Sequence, residues 1–261
     1  MHAVEPKVFL IGEPSIDRAG LDAYLAHLGI ADWESDAPTA MDELPEIFGR
    51  LCYRSFEPGL NANVTSVREH NVDYLANIIS SGHGAVLEHV TMNFVFADVS
   101  RVFTHELVRH RIGVAISQES LRYVRLTDLG QWLPTVIRDD AEAVVMFKET
   151  FELLEGLQLK LAAHFKLDDP GVPFEWKKKV TSAMRRIAPI GLATTIGWSV
   201  NVRALRWILE LRTAKVTEEE MRVVFGKVAE IVIGRYPYLF GDFTPNMVDG
   251  YLHYVPKYSK I

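Results

Sequence analysis

RVFTHELVRHRIGVAISQESLRYVR, residues 101–125, holds five arginines (Arg101, Arg109, Arg111, Arg122, Arg125) and no lysine, in a chain whose net charge is −6. Arginine presents a rigid planar fork of donors that matches phosphate and carboxylate, where lysine offers only a point charge. Interleaved with the arginines are His105, His110, Glu106, Glu119, Gln118, Ser117 and Ser120. At helical spacing Arg101, His105 and Val108 or Arg109 share a face, as do Glu106 and Arg109 or His110. Gly113 interrupts that pattern, and a polar SQES run precedes Leu121-Arg122-Tyr123. The layout predicts a helix delivering arginines into a loop of hydrogen-bonding groups, a place suited to a phosphorylated, planar, polar ligand. The same residues would also serve an arginine-rich helix that only makes salt bridges at a subunit contact.

Outward from this stretch, the pattern alternates between short strands and amphipathic helices. Lys7 to Ile11 reads as a strand stopped by Gly12. Weak helical character around Leu21 to Leu28 is followed by a helix over Leu44 to Tyr53 and another over Asn71 to Ile79. Met92, Phe94 and Phe96 alternate with Asn93 and Val95, a strand with one richer apolar face. A long helix is expected from Asp140 to Lys166, with Phe147, Phe151, Leu154, Leu157, Leu161 and Phe165 as a core-facing stripe. Pro173 to Ile187 reads as a basic helix, Leu192 to Val200 as a strand, and Asn201 as the N-cap of the next helix. A last helix runs over Val216 to Arg235, and the aromatic tail from Tyr236 is expected to pack on the body or on a neighbour.

At 261 residues and 48% apolar content, the chain can bury a sizeable core as one domain spanning 1–261. The acidic balance argues against nucleic-acid partners, which need a basic footprint. With no apolar run of membrane-spanning length and no secretory pattern in MHAVEPKVFLIG, the expectation is a cytoplasmic protein without a membrane partner. Cys52 is the single cysteine, so no disulfide within the chain and no multi-cysteine metal site can form. In its apolar surroundings it reads as a buried small hydrophobe. Glu88-His89 lacks a third ligand nearby, and no metal site is expected.

Arg109-His110-Arg111, eight residues, Ser120 and then Leu-Arg-Tyr resembles the RHR…S signature of the flavin-dependent thymidylate synthases. The flanks Thr104-His105-Glu106-Leu107-Val108 and Ser117 to Tyr123 are similar to that family as well. So are Cys52-Tyr53-Arg54-Ser55, the GH…LEH run ending at His89, Arg185 to Pro189, and the NxR…LR block from Asn201 to Arg212. The gap before Ser120 is one residue longer than the family pattern, Trp207 stands where a smaller polar or imidazole side chain is usual, and Thr213 to Met221 departs from the pattern too.

The resemblance implies an α+β fold, one domain with a central, mainly antiparallel sheet flanked by helices, and FAD bound between subunits of a homotetramer. It implies methylation of dUMP to dTMP, with methylenetetrahydrofolate as carbon donor and NADPH as reductant. Carried over, the substrate-binding positions are Tyr53, Arg101, Glu106, Arg109, Gln118, Ser120, Leu121, Arg122, Arg185 and Arg212. Arg212 is also the catalytic candidate, because a cation beside the pyrimidine favours negative charge developing on the ring. The flavin positions are His89, Thr91, Arg109, His110, Arg111, Gln118, Asn201, Arg203 and Trp207. Two other readings suit the residues: a related flavoenzyme with another pyrimidine nucleotide or carbon donor, and a noncatalytic nucleotide-binding protein.

Overall fold

The computed structural model describes residues 2–259. In chain order the elements begin with β1 (His2–Ala3), β2 (Lys7–Gly12), α1 (Arg18–Leu28), α2 (Ala40–Tyr53) and α3 (Asn71–Ser80). A 3-10 turn (Gly84–His89) leads into β3 (Thr91–Ser100), α4 (Arg101–Leu107), β4 (Val114–Gln118) and β5 (Gly130–Gln131). Helices α5 (Thr135–Arg138), α6 (Ala141–His164) and α7 (Phe174–Met184) follow, the last running into a second 3-10 turn (Arg185–Ile187). The chain continues through β6 (Ala193–Asn201), α8 (Val202–Arg212), α9 (Glu219–Arg235) and α10 (Pro237–Phe240), and finishes with β7 (Phe243–Val248) and β8 (Tyr251–Pro256).

Four strands form one sheet in the order β2-β3-β6-β4. Its register is antiparallel throughout. Arg101 N donates to Leu192 O (3.1 Å) at one end of the β3–β6 pair and Val202 N to Val90 O (2.9 Å) at the other. Likewise Glu119 N bonds Thr195 O (3.0 Å) and Asn201 N bonds Gly113 O (2.9 Å), so β4 and β6 also run in opposite directions. Alternation decides which face is buried: Met92, Phe94 and Phe96 all point inward, as do Ile196, Trp198 and Val200. Near its end β3 changes phase, because Asp98 adopts a left-handed φ of 59° and Val99 and Ser100 are both buried. This is the signature of a bulge, which redirects the chain into α4. Ser100 caps that helix, its hydroxyl accepting from Phe103 N at 3.0 Å.

The chain divides into two compact units, and each sheet strand passes from one to the other. The first comprises residues 2–9, 95–111 and 116–198 and carries α4 to α7. Its core joins Leu121, Leu126, Leu129, Phe151 and Leu192, with a second cluster of Ala162, Leu167, Val180 and Met184. The second unit comprises residues 10–94, 112–115 and 199–259 and carries α1 to α3, α8 to α10 and the β7–β8 hairpin.

Several expectations change here. Helix α6 is not a core helix, since only Phe151, Gln158 and Ala162 are buried while Phe147, Leu157 and Phe165 are exposed. Its apolar residues spread around the helix rather than forming one stripe, leaving Val145, Met146 and Leu153 outside as well. Cys52 is exposed, because α2 ends one residue later and its last turn, Leu51 to Tyr53, faces outward. Residues 114–118, expected as loop, are a strand that completes the sheet edge. The aromatic tail is a hairpin turned by Asp249 and Gly250, both at positive φ. The last long helix starts at Glu219, whose predecessor Glu218 caps Met221 N, rather than at Val216. Among the described residues no helix is long and apolar enough to cross a membrane.

The second unit also buries a charged network. Arg50 Nε and Nη2 donate to Glu46 Oε1 (2.8 and 2.6 Å), and Arg50 also reaches the carbonyls of Ser55 and Arg68. Glu46 further accepts from Asn71 Nδ2 (2.7 Å) and the Ser35 hydroxyl. Because Arg50 and Glu46 are both nearly inaccessible, removing the carboxylate strands a buried cation. Glu46→Ala should cost about 3–5 kcal/mol in urea unfolding with the m-value unchanged; a loss under about 1 kcal/mol would show that the pair is solvated.

Candidate functional site

The arginine-rich stretch splits at the end of α4. Bonds of the i→i−4 kind stop at Val108, and Arg109 N and His110 N instead bond the carbonyls three residues back (3.2 and 3.1 Å). The chain therefore tightens through Arg109 to Arg111 rather than continuing as helix, which corrects the single helical face expected for Arg101 and Arg109. The tightening turns His110 inward, where it is buried, and leaves Arg109 and Arg111 exposed on either side. Neither of these guanidiniums is paired with a carboxylate among the described residues.

Arg101 opens α4 half-buried, and its Nη1 is buried without a hydrogen-bond partner. Burial, and after it the charge of Arg185, hold its pKa below the usual arginine value. Arg185 begins the 3-10 turn ahead of β6 and is exposed. Ser120 Oγ accepts from Arg122 N (3.3 Å), which turns the chain after β4, and the Arg122 guanidinium lies 5.8 Å from the centre of the Tyr123 ring. Leu121 is buried in the Phe151 cluster, so its side chain faces the core. Arg125 differs from its neighbours, being held in a two-pronged pair with Asp168.

Two residues outside the candidate binding positions shape this unit. Thr104 is buried, donates to Arg101 O (3.1 Å) and accepts from Gln118 Nε2 (3.1 Å), so it ties Gln118 on β4 to the helix that carries Arg101. Glu119 accepts from Thr195 N (2.9 Å) and the Thr194 hydroxyl (3.3 Å), which makes it a sheet anchor. A threonine three residues after the first arginine carries no sequence signal for this bridge, since its partner lies fourteen residues on, in strand β4. Glu106, on the same short helix, is half-buried.

In the second unit Asn201 is the N-cap of α8, as its sequence position suggested, accepting from Ala204 N at 2.8 Å. Its side chain also packs against Gly113, where an added Cβ would come within 2.5 Å of Asn201 Nδ2. Gly113 stands at φ 71°, so glycine is required there by both conformation and space. Arg203 and Trp207 lie one turn apart on an exposed face of α8, with Trp207 53% exposed. Arg203 forms an ion pair with Glu88 of the preceding 3-10 turn, and His89 stacks on Phe48 with ring centres 3.9 Å apart. Thr91 is exposed at the start of β3. Glu88 and His89 are thus engaged as a cation partner and a stacking partner.

Arg212 is half-buried in the last turn of α8. The helix end is fixed by Thr213, whose hydroxyl donates to Leu209 O (2.7 Å) and accepts from Tyr254 N (3.0 Å). Tyr53 is exposed at the end of α2, its hydroxyl 3.4 Å from His83 Nδ1 and the two rings stacked.

Comparison with known proteins bears on what these residues do. The family model described as thymidylate synthase complementing protein matches residues 36–238. The flavin-dependent thymidylate synthase of Mycobacteroides abscessus is 32% identical over 228 residues, covering 84% of this chain and 86% of its own length. That of Corynebacterium efficiens is 30% identical over 247 residues, covering 91% and 93%. The chain is similar in fold to thymidylate synthase X from Helicobacter pylori, solved with FAD and dUMP, at TM-score 0.54 and 24% identity over 77% of this chain and 93% of that one. It is similar in fold also to the UMP/dUMP methylase PolB from Streptomyces cacaoi, solved with 5-Br dUMP, at TM-score 0.61 and 15% identity over 92% and 95%. With a family model over most of its length and relatives above 30% identity, the chain belongs to the flavin-dependent thymidylate synthase family.

Proposed function

We propose that this protein methylates dUMP at C5 to give dTMP, with FAD as cofactor, methylenetetrahydrofolate as carbon donor and NADPH as reductant. Beyond family membership, the observation that carries the reading is the buried, partnerless Nη1 of Arg101 beside the charge of Arg185. A phosphate dianion at that place would neutralise both guanidiniums and fill the missing hydrogen bond. Arg122, Arg109, Ser120, Gln118, Glu106 and Leu121 complete the nucleotide-binding set in this proposal, and Tyr53 is a further candidate for substrate contact. Arg212 is the catalytic residue: its guanidinium stabilises negative charge on the pyrimidine as C5 becomes nucleophilic. Thr213 fixes the end of α8 and so limits how far Arg212 can swing.

The residues present fit a flavin dinucleotide. Exposed Arg109 and Arg111 flank buried His110, a spacing that can hold a pyrophosphate from two sides. Asn201, Arg203, Trp207, His89 and Thr91 are the other flavin-binding candidates, and they bring cationic, aromatic and polar groups of the kinds a flavin dinucleotide needs. Bound there, the flavin supplies the reducing equivalents that turn a transferred one-carbon group into a methyl group. No thiolate has to add to the pyrimidine in this scheme.

The proposal also covers assembly and place. The chain acts as one domain in a homotetramer in the cytoplasm, and the exposed apolar residues of α6 are the surface that self-association would cover. A UMP-methylating enzyme is the second reading, favoured by the fold likeness to a UMP/dUMP methylase and by the longer path from Arg111 to Ser120.

Titration of dUMP into the protein tests the nucleotide assignment. Arg101→Lys and Arg185→Lys should each weaken dUMP about tenfold or more, since charge is kept but the fork is lost. Unchanged affinity in both variants would place the phosphate elsewhere, and UMP binding as tight as dUMP would favour the second reading. For assembly, Leu153→Glu puts a charge on a side chain that is 70% exposed in the single chain. It should reduce the particle mass measured by light scattering, and an unchanged mass would remove α6 from the subunit contact.

A further inference from the structure

The second unit contains a cavity of about 530 Å³ that none of the candidate nucleotide- or flavin-binding residues lines. One wall is Arg68 with the outer side of α3, where Val72, Ala76, Asn77 and Ser80 follow at helical spacing. The other is Tyr238 and Gly241 at α10, then Asp242, Lys257 and Tyr258. Its volume falls in the range of pockets that take small organic ligands, roughly 300–1,000 Å³.

The charges in this cavity are unbalanced. Asp242, its carboxylate, is fully engaged: Arg206 Nη1 and Nη2 donate to its two oxygens (2.7 and 2.8 Å), and Tyr258 N adds a third bond (3.3 Å). Arg206 is buried behind it and also reaches Leu239 O. That leaves Arg68 and Lys257 as the two cations of the lining, and among the described residues neither is paired with a carboxylate. Arg68 is oriented by Asn77, with Nη2 2.9 Å from Oδ1. The Lys257 ammonium lies 5.2 Å from the centre of the Tyr258 ring. Tyr238 and Tyr258 are both half-buried and present ring surface to the same space. The wall under Lys257 is pinned, because Lys257 N bonds Asp242 O at 3.0 Å.

A planar guanidinium, an ammonium and two phenol rings around one cavity select for a ligand that is both anionic and aromatic. We propose that this cavity is a second binding site, distinct from the arginine cluster of residues 101–122, for a small aromatic anion: one aryl ring bearing a carboxylate or a phosphate. The ring stacks between Tyr238 and Tyr258, and the anion is held by Arg68 and Lys257.

Fluorine NMR titration of the full chain with 4-fluorobenzoate, 4-fluorophenyl phosphate and neutral 4-fluorobenzamide tests this. The site predicts binding of at least one anion and at least about tenfold weaker binding of the amide, as expected for loss of charge-assisted hydrogen bonds. The carboxylate and phosphate arms decide which anion the site prefers. The R68A/K257A double variant should lose the anion by a similar factor. Ala76→Trp, which adds bulk to the lining from α3 and keeps both cations, should abolish binding of both anions and serves if the double variant does not fold. Absence of anion binding to the unmodified chain, equal binding of the amide, or unchanged binding in Ala76→Trp would each overturn the proposal.

Discussion

The antiparallel register of β3 against β6 is the constraint on which both halves of the candidate machinery depend. At one end, the bond from Arg101 N to Leu192 O sets the start of α4 beside the approach to β6, which places Arg101 within reach of the charge of Arg185. At the other end, the bond from Val202 N to Val90 O sets the start of α8 beside the 3-10 turn, which lets Arg203 meet Glu88. Slipping this pairing by one residue would turn Phe94, Phe96 and Trp198 out of the core, so burial holds the register firmly. Within each unit, the pairing that packs the sheet also sets where a helix bearing candidate arginines begins.

Arginine serves three different ends in this chain, and exposure and partners separate them. Arg50, Arg206 and Arg222 are buried, each donates to a carboxylate or a carbonyl, and each guanidinium lies over an aromatic ring, although Nε of Arg206 and of Arg222 has no partner. Those pairs fix the fold. Arg125 and Arg203 are held in ion pairs nearer the surface. Arg101 is half-buried with its Nη1 unpartnered, and burial, then the charge of Arg185, hold its pKa below the usual arginine value. Sites that bind charged ligands commonly carry such unbalanced charge, and its presence here agrees with a family that acts on a nucleotide monophosphate.

Much of this was legible in the chain, and what was not has identifiable causes. Strand β3 announced itself by alternation over Met92 to Phe96, where one face is buried, and β6 by its content of threonine, isoleucine, tryptophan and valine. The arginine stretch and Asn201 stood out because charge density and capping are local properties. The exposed α6 escaped because apolar residues on a helix do not reveal whether a core or another chain covers them. Cys52 escaped for a related reason: its neighbours are apolar, yet they belong to a last turn that faces outward. The Thr104–Gln118 bridge and the pairing of Arg203 with Glu88 join residues far apart in sequence, and no spacing rule reaches them. The strand at 114–118 was hidden by its polar SQ ending and by its position at a sheet edge, where only alternate residues are shielded.

The central claim is that this chain replaces the hydrogen at C5 of dUMP with a methyl group through a reduced flavin. The most direct measurement is release of tritium to water from dUMP labelled at C5, followed in the flavin-loaded protein with methylenetetrahydrofolate and NADPH. The account predicts tritium release in step with dTMP formation, and no release when NADPH or the folate is withheld. Flavin-loaded, folded protein that binds dUMP yet releases no tritium with all components present would contradict it.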